Sequence, residues 1–170
     1  MNLIFRLLLT LNATSWMLVI YTIKEKVTLS ILPIWGFDIL VLLVPVLLSL
    51  FSIWIAKYLG EDDLVGCKEF SLADNEFLPT YLGYFFISVS VSDTTTMIVL
   101  YGIVFVFTFL SQTQYFNPMF LLFGYHYYHI LSPYGTRVFV IRRGKVIRNN
   151  KDIAFEHLRR INDTTFIERR

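Results

Sequence analysis

The stretch "FDILVLLVPVLLSLFSIWIA", Phe37–Ala56, leaves the chain little choice of environment. Its one charge, Asp38, sits near the edge, and water cannot solvate the rest. A helix of this length matches the roughly 30 Å hydrocarbon core of a bilayer. Trp35 and Trp54 flank the run where an aromatic belt belongs. Pro45 at mid-span is tolerated in lipid when a neighbour takes up the freed carbonyl. Asp38 near the helix N-terminus is inexpensive for the same chain.

Composition agrees. The 170 residues are 55% hydrophobic and 16% charged, against about 25% charged in an ordinary soluble domain. Sixteen Phe and ten Tyr exceed what one compact core buries, and a lipid-facing surface removes the excess. The alternative is a very apolar soluble helical domain. Three further spans are expected, at about 3–23, 75–92 and 96–116. Arg6 is placed to snorkel to the headgroups, and Asn12, Thr14 and Ser15 to face other helices. No small-x-small cleavage site follows the first run, which is therefore read as a retained span. Residues 75–116 read as a helical hairpin turned at Asp93. Asp74 or Asn75 caps it, and Gly83, Ser88, Gly102 and Thr108 allow close packing. The expected fold class is an all-α membrane protein. A four-transmembrane-helix bundle occupies 1–116, and a small cytoplasmic C-terminal β-hairpin/helix element follows it. Ten of the fifteen basic residues lie after Ile130, which places both termini in the cytoplasm.

Asn117-Pro118 ends the fourth span, because proline lacks a donor and pushes its predecessor out of helical geometry. Residues 117–131 are too short to cross again. They read as an interfacial aromatic collar, with Tyr125, Tyr127, Tyr128 and Tyr134 at headgroup depth. In the tail, 132–170, Val138 and Val140 alternate toward a turn at Arg143-Gly144 and a returning strand 145–147. Ile153, Phe155, Leu158 and Ile161 stand near helical spacing and predict a short amphipathic helix.

Arg137, Arg142, Arg143, Lys145, Arg148, Lys151, Arg159 and Arg160 admit three uses. They can follow the positive-inside rule and touch anionic lipid, dock an acidic partner, or bind nucleic acid. No reading helix or RNA-stacking sheet accompanies them, so direct nucleic-acid binding is not expected. The loop "GEDDLVGCKEFSLADNE" holds six of the thirteen acids and reads as solvated, or as a mate for a neighbour's tail. Cys67 is the only cysteine, which excludes an internal disulfide. His126-x-x-His129 would place two imidazoles on one helix face, but as polar tips among tyrosines rather than metal ligands. No nucleophile–base set or phosphate loop occurs, so no catalytic residue, cofactor or metal is expected. Carboxylates within spans are nearly absent, which argues against a coupled transporter.

Three stretches carry a family likeness: "DNEFLPTYLGYFFISVSVSD", "FLSQTQYFNPMFLLFGYHYYHI" and "GTRVFVIRRGKVIRNN…LRRINDTTFIE". In this order they resemble the membrane subunit of the bacterial Kiwa anti-phage defence system. The likeness covers Asp74 onward; the N-terminal half matches in hydropathy alone. It implies a non-enzymatic inner-membrane sensor or scaffold that forms a homo-oligomer and recruits a cytoplasmic DNA-binding partner subunit. Contacts to partner or lipid would fall on Arg137, Arg142, Arg143, Lys145, Arg148, Arg159 and Arg160. Coupling would pass through the Asn117-Pro118 break. A membrane immunity protein and a pore-forming effector are the alternative readings.

Overall fold

The computed structural model describes residues 2–28, 33–64, 67–111, 116–132, 135–147 and 155–168. Its helical layer holds α1 (Asn2–Lys24), α2 (Ile34–Ile55), α3 (Leu78–Ser90) and α4 (Thr94–Ser111). The other three all pack on α1. Thr10, Asn12 and Thr14 of α1 are fully buried and Ser15 nearly so, facing helices as expected. Thr10, Thr14 and Ser15 donate to carbonyls of Arg6, Thr10 and Asn12 at 2.9, 2.9 and 2.7 Å, which keeps their hydroxyl protons off lipid. Ser88 of α3 reaches the Met17 carbonyl at 2.8 Å, an approach that only a small residue permits. At the far end of α1, the Tyr21 and Thr94 hydroxyls pair at 3.1 Å. Asp93 caps α4 there by accepting from the Thr96 amide at 2.7 Å and its hydroxyl at 2.8 Å. These bonds hold its carboxyl below the usual carboxylate range.

Helices α1, α2 and α4 are long and apolar enough to cross a membrane. Helix α3 has 13 residues and spans about 20 Å, so it is shorter than the 75–92 span expected from hydropathy. Leu40, Leu43, Leu47 and Leu50 of α2 and Ile98, Phe107 and Leu110 of α4 point outward and exposed. A surface of this kind suits lipid and not water.

The expectation of an all-α bundle is overturned by a mixed six-stranded sheet. Its strands are β1 (Glu61–Leu64), β2 (Glu69–Leu72), β3 (Tyr125–Leu131), β4 (Arg137–Arg143), β5 (Phe155–Arg160) and β6 (Thr165–Glu168). Their order is β1-β5-β6-β4-β3-β2. All neighbours are antiparallel except β4 and β6. Both edges, β1 and β2, come from the stretch read as a solvated loop. The hairpin partner of β4 precedes it: β3 pairs in register from Tyr125↔Arg143 to Leu131↔Arg137. The turn therefore lies before Arg137, and residues 145–147 form no return strand. The segment read as an amphipathic helix contains β5.

One sheet face meets the ends of the helices. There Phe5 and Leu9 of α1 join Ala56, Phe116, Phe120, Tyr125, Tyr127, Phe139 and Ile141 in a single buried cluster. Phe116 lies 4.9 Å from Tyr127 and 5.0 Å from Phe139, both edge-on, while Tyr127 and Phe139 stack. On the opposite face, Tyr128, Ile130, Val138, Val140, Leu158 and Phe166 form a second cluster. Sheet and helices thus share one core, with the sheet at the end where α1 begins and α4 leads into β3.

Candidate functional site

The join between helices and sheet is built around Asn117. Its backbone is extended, and its side-chain oxygen accepts from the Met119 amide at 2.9 Å. This caps α5 (Pro118–Leu122), with Pro118 at the first helical position where no donor is lost. Gly124, at φ +75°, ends that turn in the left-handed region and releases the chain into β3.

The other end of the Asn117 amide reaches into the helices. Its Nδ2 donates to Ser49 Oγ of α2 at 2.9 Å. The Ser49 hydroxyl in turn lies 3.2 Å from Asn12 Oδ1 of α1 and 2.7 Å from the Pro45 carbonyl. On the sheet side, the Tyr127 hydroxyl donates to the Asn117 carbonyl at 3.0 Å and accepts from its amide at 2.9 Å. The Tyr127 amide donates to Asp74 Oδ1 at 2.7 Å. Asn12, Ser49, Asn117 and Tyr127 are all buried. Burial pushes the Tyr127 phenol far above its ordinary range, so it stays a neutral donor. A continuous polar connection therefore runs from α1 and α2 to strand β3, next to the sheet edge. Asn12 Nδ2 has no partner among the described residues. That leaves a spare donor in the helical core, where an unmet hydrogen bond is costly.

Asp74 and Glu76, in the β2–α3 connection, tie that connection to β3. His126 Nδ1 sits 2.7 Å from Asp74 Oδ2, and His129 Nε2 lies 2.9 Å from Glu76 Oε2. Each imidazole is held by one carboxylate on a strand, not on the helix face that a shared metal would need. Among the described residues no group of three or more metal-ligating side chains occurs. Replacing Asp74 with Ala strands the Tyr127 amide and His126, and is expected to cost about 1–3 kcal/mol, read as a fall in unfolding temperature.

Of the four collar tyrosines, three are described, and they pack within the sheet. Tyr125, Tyr127 and Tyr128 are buried in the sheet, and the Tyr128 hydroxyl accepts from the Ile147 amide at 3.1 Å. The basic residues divide. Arg142 pairs with Glu168 at 2.9 Å in the sheet interior. Arg159 pairs with Glu61 at 2.6 Å and donates to the Leu59 carbonyl at 3.0 Å. Arg160 reaches Asp163 and, at 3.9 Å, Asp62. The acidic loop thus meets the tail of its own chain across β1 and β5. Arg137, Arg143 and Lys145 remain exposed. Arg143 lies over the Tyr125 ring at 5.9 Å. Tyr134, Arg148 and Lys151 fall outside the described residues. Cys67 is half-buried, and burial pushes its thiol above the usual range.

Sequence reasoning placed Asn117 and Pro118 at the joint and Asn12 against other helices. It missed Ser49 as their bridge, and Asp74, Glu76 and Glu168 as partners. For Ser49 the signal was present, since a hydroxyl in the leucine-rich run of α2 needs a partner. The carboxylates gave none, because their mates lie more than fifty residues away or in another strand.

No curated protein and no solved structure matches the chain. The family model described as "Anti-phage protein KwaA" matches residues 5–167, which take in the helical layer and the sheet but for the first three residues of α1 and the last of β6. The chain therefore belongs to the KwaA family of anti-phage proteins.

Proposed function

We propose that this chain is a non-enzymatic inner-membrane subunit of a Kiwa-type defence complex that senses infection in its helices and reports it through its sheet. The observation that carries this reading is the buried connection Asn12–Ser49–Asn117–Tyr127. A shift of α1 against α2 would break or re-form bonds in that connection, and β3 would feel it. Packed and hydrogen-bonded elements transmit such changes because they have discrete arrangements. The sheet lies on the cytoplasmic side, in keeping with the basic C-terminal half. The outward apolar faces of α2 and α4 suit lipid and self-association into a homo-oligomer.

The sheet end serves as the platform for a cytoplasmic partner, which the family likeness suggests is a DNA-binding subunit of the same system. Arg143 and Lys145, exposed and without an ion-pair partner among the described residues, would meet an acidic surface on it. The test is charge reversal. Arg143→Glu with Lys145→Glu is expected to cut co-purification of the partner about tenfold while membrane insertion is unchanged. Wild-type recovery of the partner would reject this docking face. Deleting 132–170 is a poorer test, because it removes β4, β5 and β6 and so dismantles the sheet.

A further inference from the structure

A cavity of about 550 Å³ lies at the β2–β3–β4 corner of the sheet, and none of Asn12, Ser49, Asn117 and Tyr127 lines it. Pairing of Glu69 with Leu131 and of Leu131 with Arg137 puts all three on one face, in a row across three strands. The neighbouring row is Ser71, His129 and Phe139. Phe139 belongs to the core against the helix ends, so this face looks toward the membrane layer. Glu76, hydrogen-bonded to His129, and Thr164 also line it, with Phe70, Ile130 and Val138 from the alternate positions of the same three strands.

Two of the lining groups are uncommitted. Glu69 and Arg137 are exposed, and neither has an ion-pair partner among the described residues. With Leu131 between them, their backbones stand two strand spacings apart, roughly 10 Å. An anion and a cation are thereby held over one cavity, each free to bind an outside group. The ligand that fits is a zwitterion, with an ammonium for Glu69 and a phosphate for Arg137. Just below, α3 begins at Leu78. Leu78, Leu82, Phe85, Phe86 and Val89 form an exposed apolar stripe along it, at helical spacing. Acyl chains can lie on that stripe while a headgroup occupies the cavity.

We infer that the cavity with the α3 stripe is a site for one phospholipid bearing a primary-amine zwitterionic headgroup. The inference rests on the placement of the sheet at the membrane surface proposed above. A choline headgroup carries the same charges but donates no N–H bond to Glu69, and a glycerol headgroup lacks the cation.

The test uses the full chain in mild detergent. Phosphatidylethanolamine, phosphatidylcholine and phosphatidylglycerol with identical acyl chains are added, and retained lipid is counted by native mass spectrometry. The ethanolamine lipid is expected to be retained about tenfold over the other two. Glu69→Gln should abolish most of that preference, and Arg137→Gln should lower retention of all three lipids, neither moving the unfolding temperature, since both side chains are exposed. Water-soluble glycerophosphoethanolamine should not compete. Equal retention of the three lipids, a preference unmoved by Glu69→Gln, retention unmoved by Arg137→Gln, or full competition by the soluble headgroup would overturn the site. Unselective retention of lipid would sink this inference and leave the membrane reading standing. A protein that stays monodisperse without detergent and holds no lipid would sink both.

Discussion

Asn117→Ala is expected to destabilise the protein by about 2–4 kcal/mol. The substitution removes the cap of α5 and the donor to Ser49, both in a buried joint, while the Tyr127 hydroxyl keeps its bonds to the backbone of residue 117. Loss of an N-cap accounts for about 1 kcal/mol, and orphaned buried groups for the rest. Thermal unfolding in detergent reads the effect. Ser49→Ala strands the Asn117 amide in turn, so the double variant should be less damaging than the sum of the singles, by about 1 kcal/mol. Strict additivity would mean that the two side chains do not act on one another. Where an Asn117 variant still folds at working temperature, the proposed division between a transmitting joint and a docking platform predicts that phage protection falls further than partner recruitment.

The second large effect concerns the sheet interior. Glu168 is 1% exposed and Arg142 11%, so their ion pair is held away from water. Arg142→Met alone leaves a buried carboxylate without its cation and is expected to cost about 3–5 kcal/mol. Adding Glu168→Leu should recover most of that loss, because a buried pair and a well-packed apolar pair are often near-equal in stability. Protease resistance of the sheet region, followed in parallel with thermal unfolding, checks both steps. If Arg142→Met were silent, the pair would have to be solvated, and Arg142 would return to the set available for docking. Because β6 is the parallel neighbour of β4, failure here should release the C-terminal strands first.

How much of this was readable beforehand follows from physical features of particular segments. The helices α1, α2 and α4 announce themselves by length and apolarity. Strand β4 shows itself through Val138 and Val140. Strand β3 does not, because "YHYYHIL" is buried on both faces and so lacks the alternation that marks a half-exposed strand. Its aromatic and β-branched content was the usable hint, and the same content also suits a membrane interface. Strand β5 imitates a helix for a specific reason. His157 has a positive φ of 59°, and the pairing with β1 slips between Asp62 and Leu64. A bulge of this kind inserts one residue, so Phe155 and Leu158 stand three apart in sequence while remaining in a strand. The four-residue edges β1 and β2 are short and acid-rich, and they exist only because distant strands pair with them. At the candidate site, the Asn117-Pro118 break was legible from proline chemistry alone. Its partners Ser49 and Tyr127 come together only once the sheet is seated on the helix ends.

The proposed topology puts the sheet and the 91–93 turn on opposite sides of the membrane. Single cysteines at Lys145 and at Thr95, both exposed, in a Cys67→Ser background, decide it with a membrane-impermeant maleimide on intact cells. Thr95→Cys should be labelled from outside, and Lys145→Cys only after the membrane is opened. Labelling of Lys145→Cys from outside, or of both positions from the same side, would contradict it.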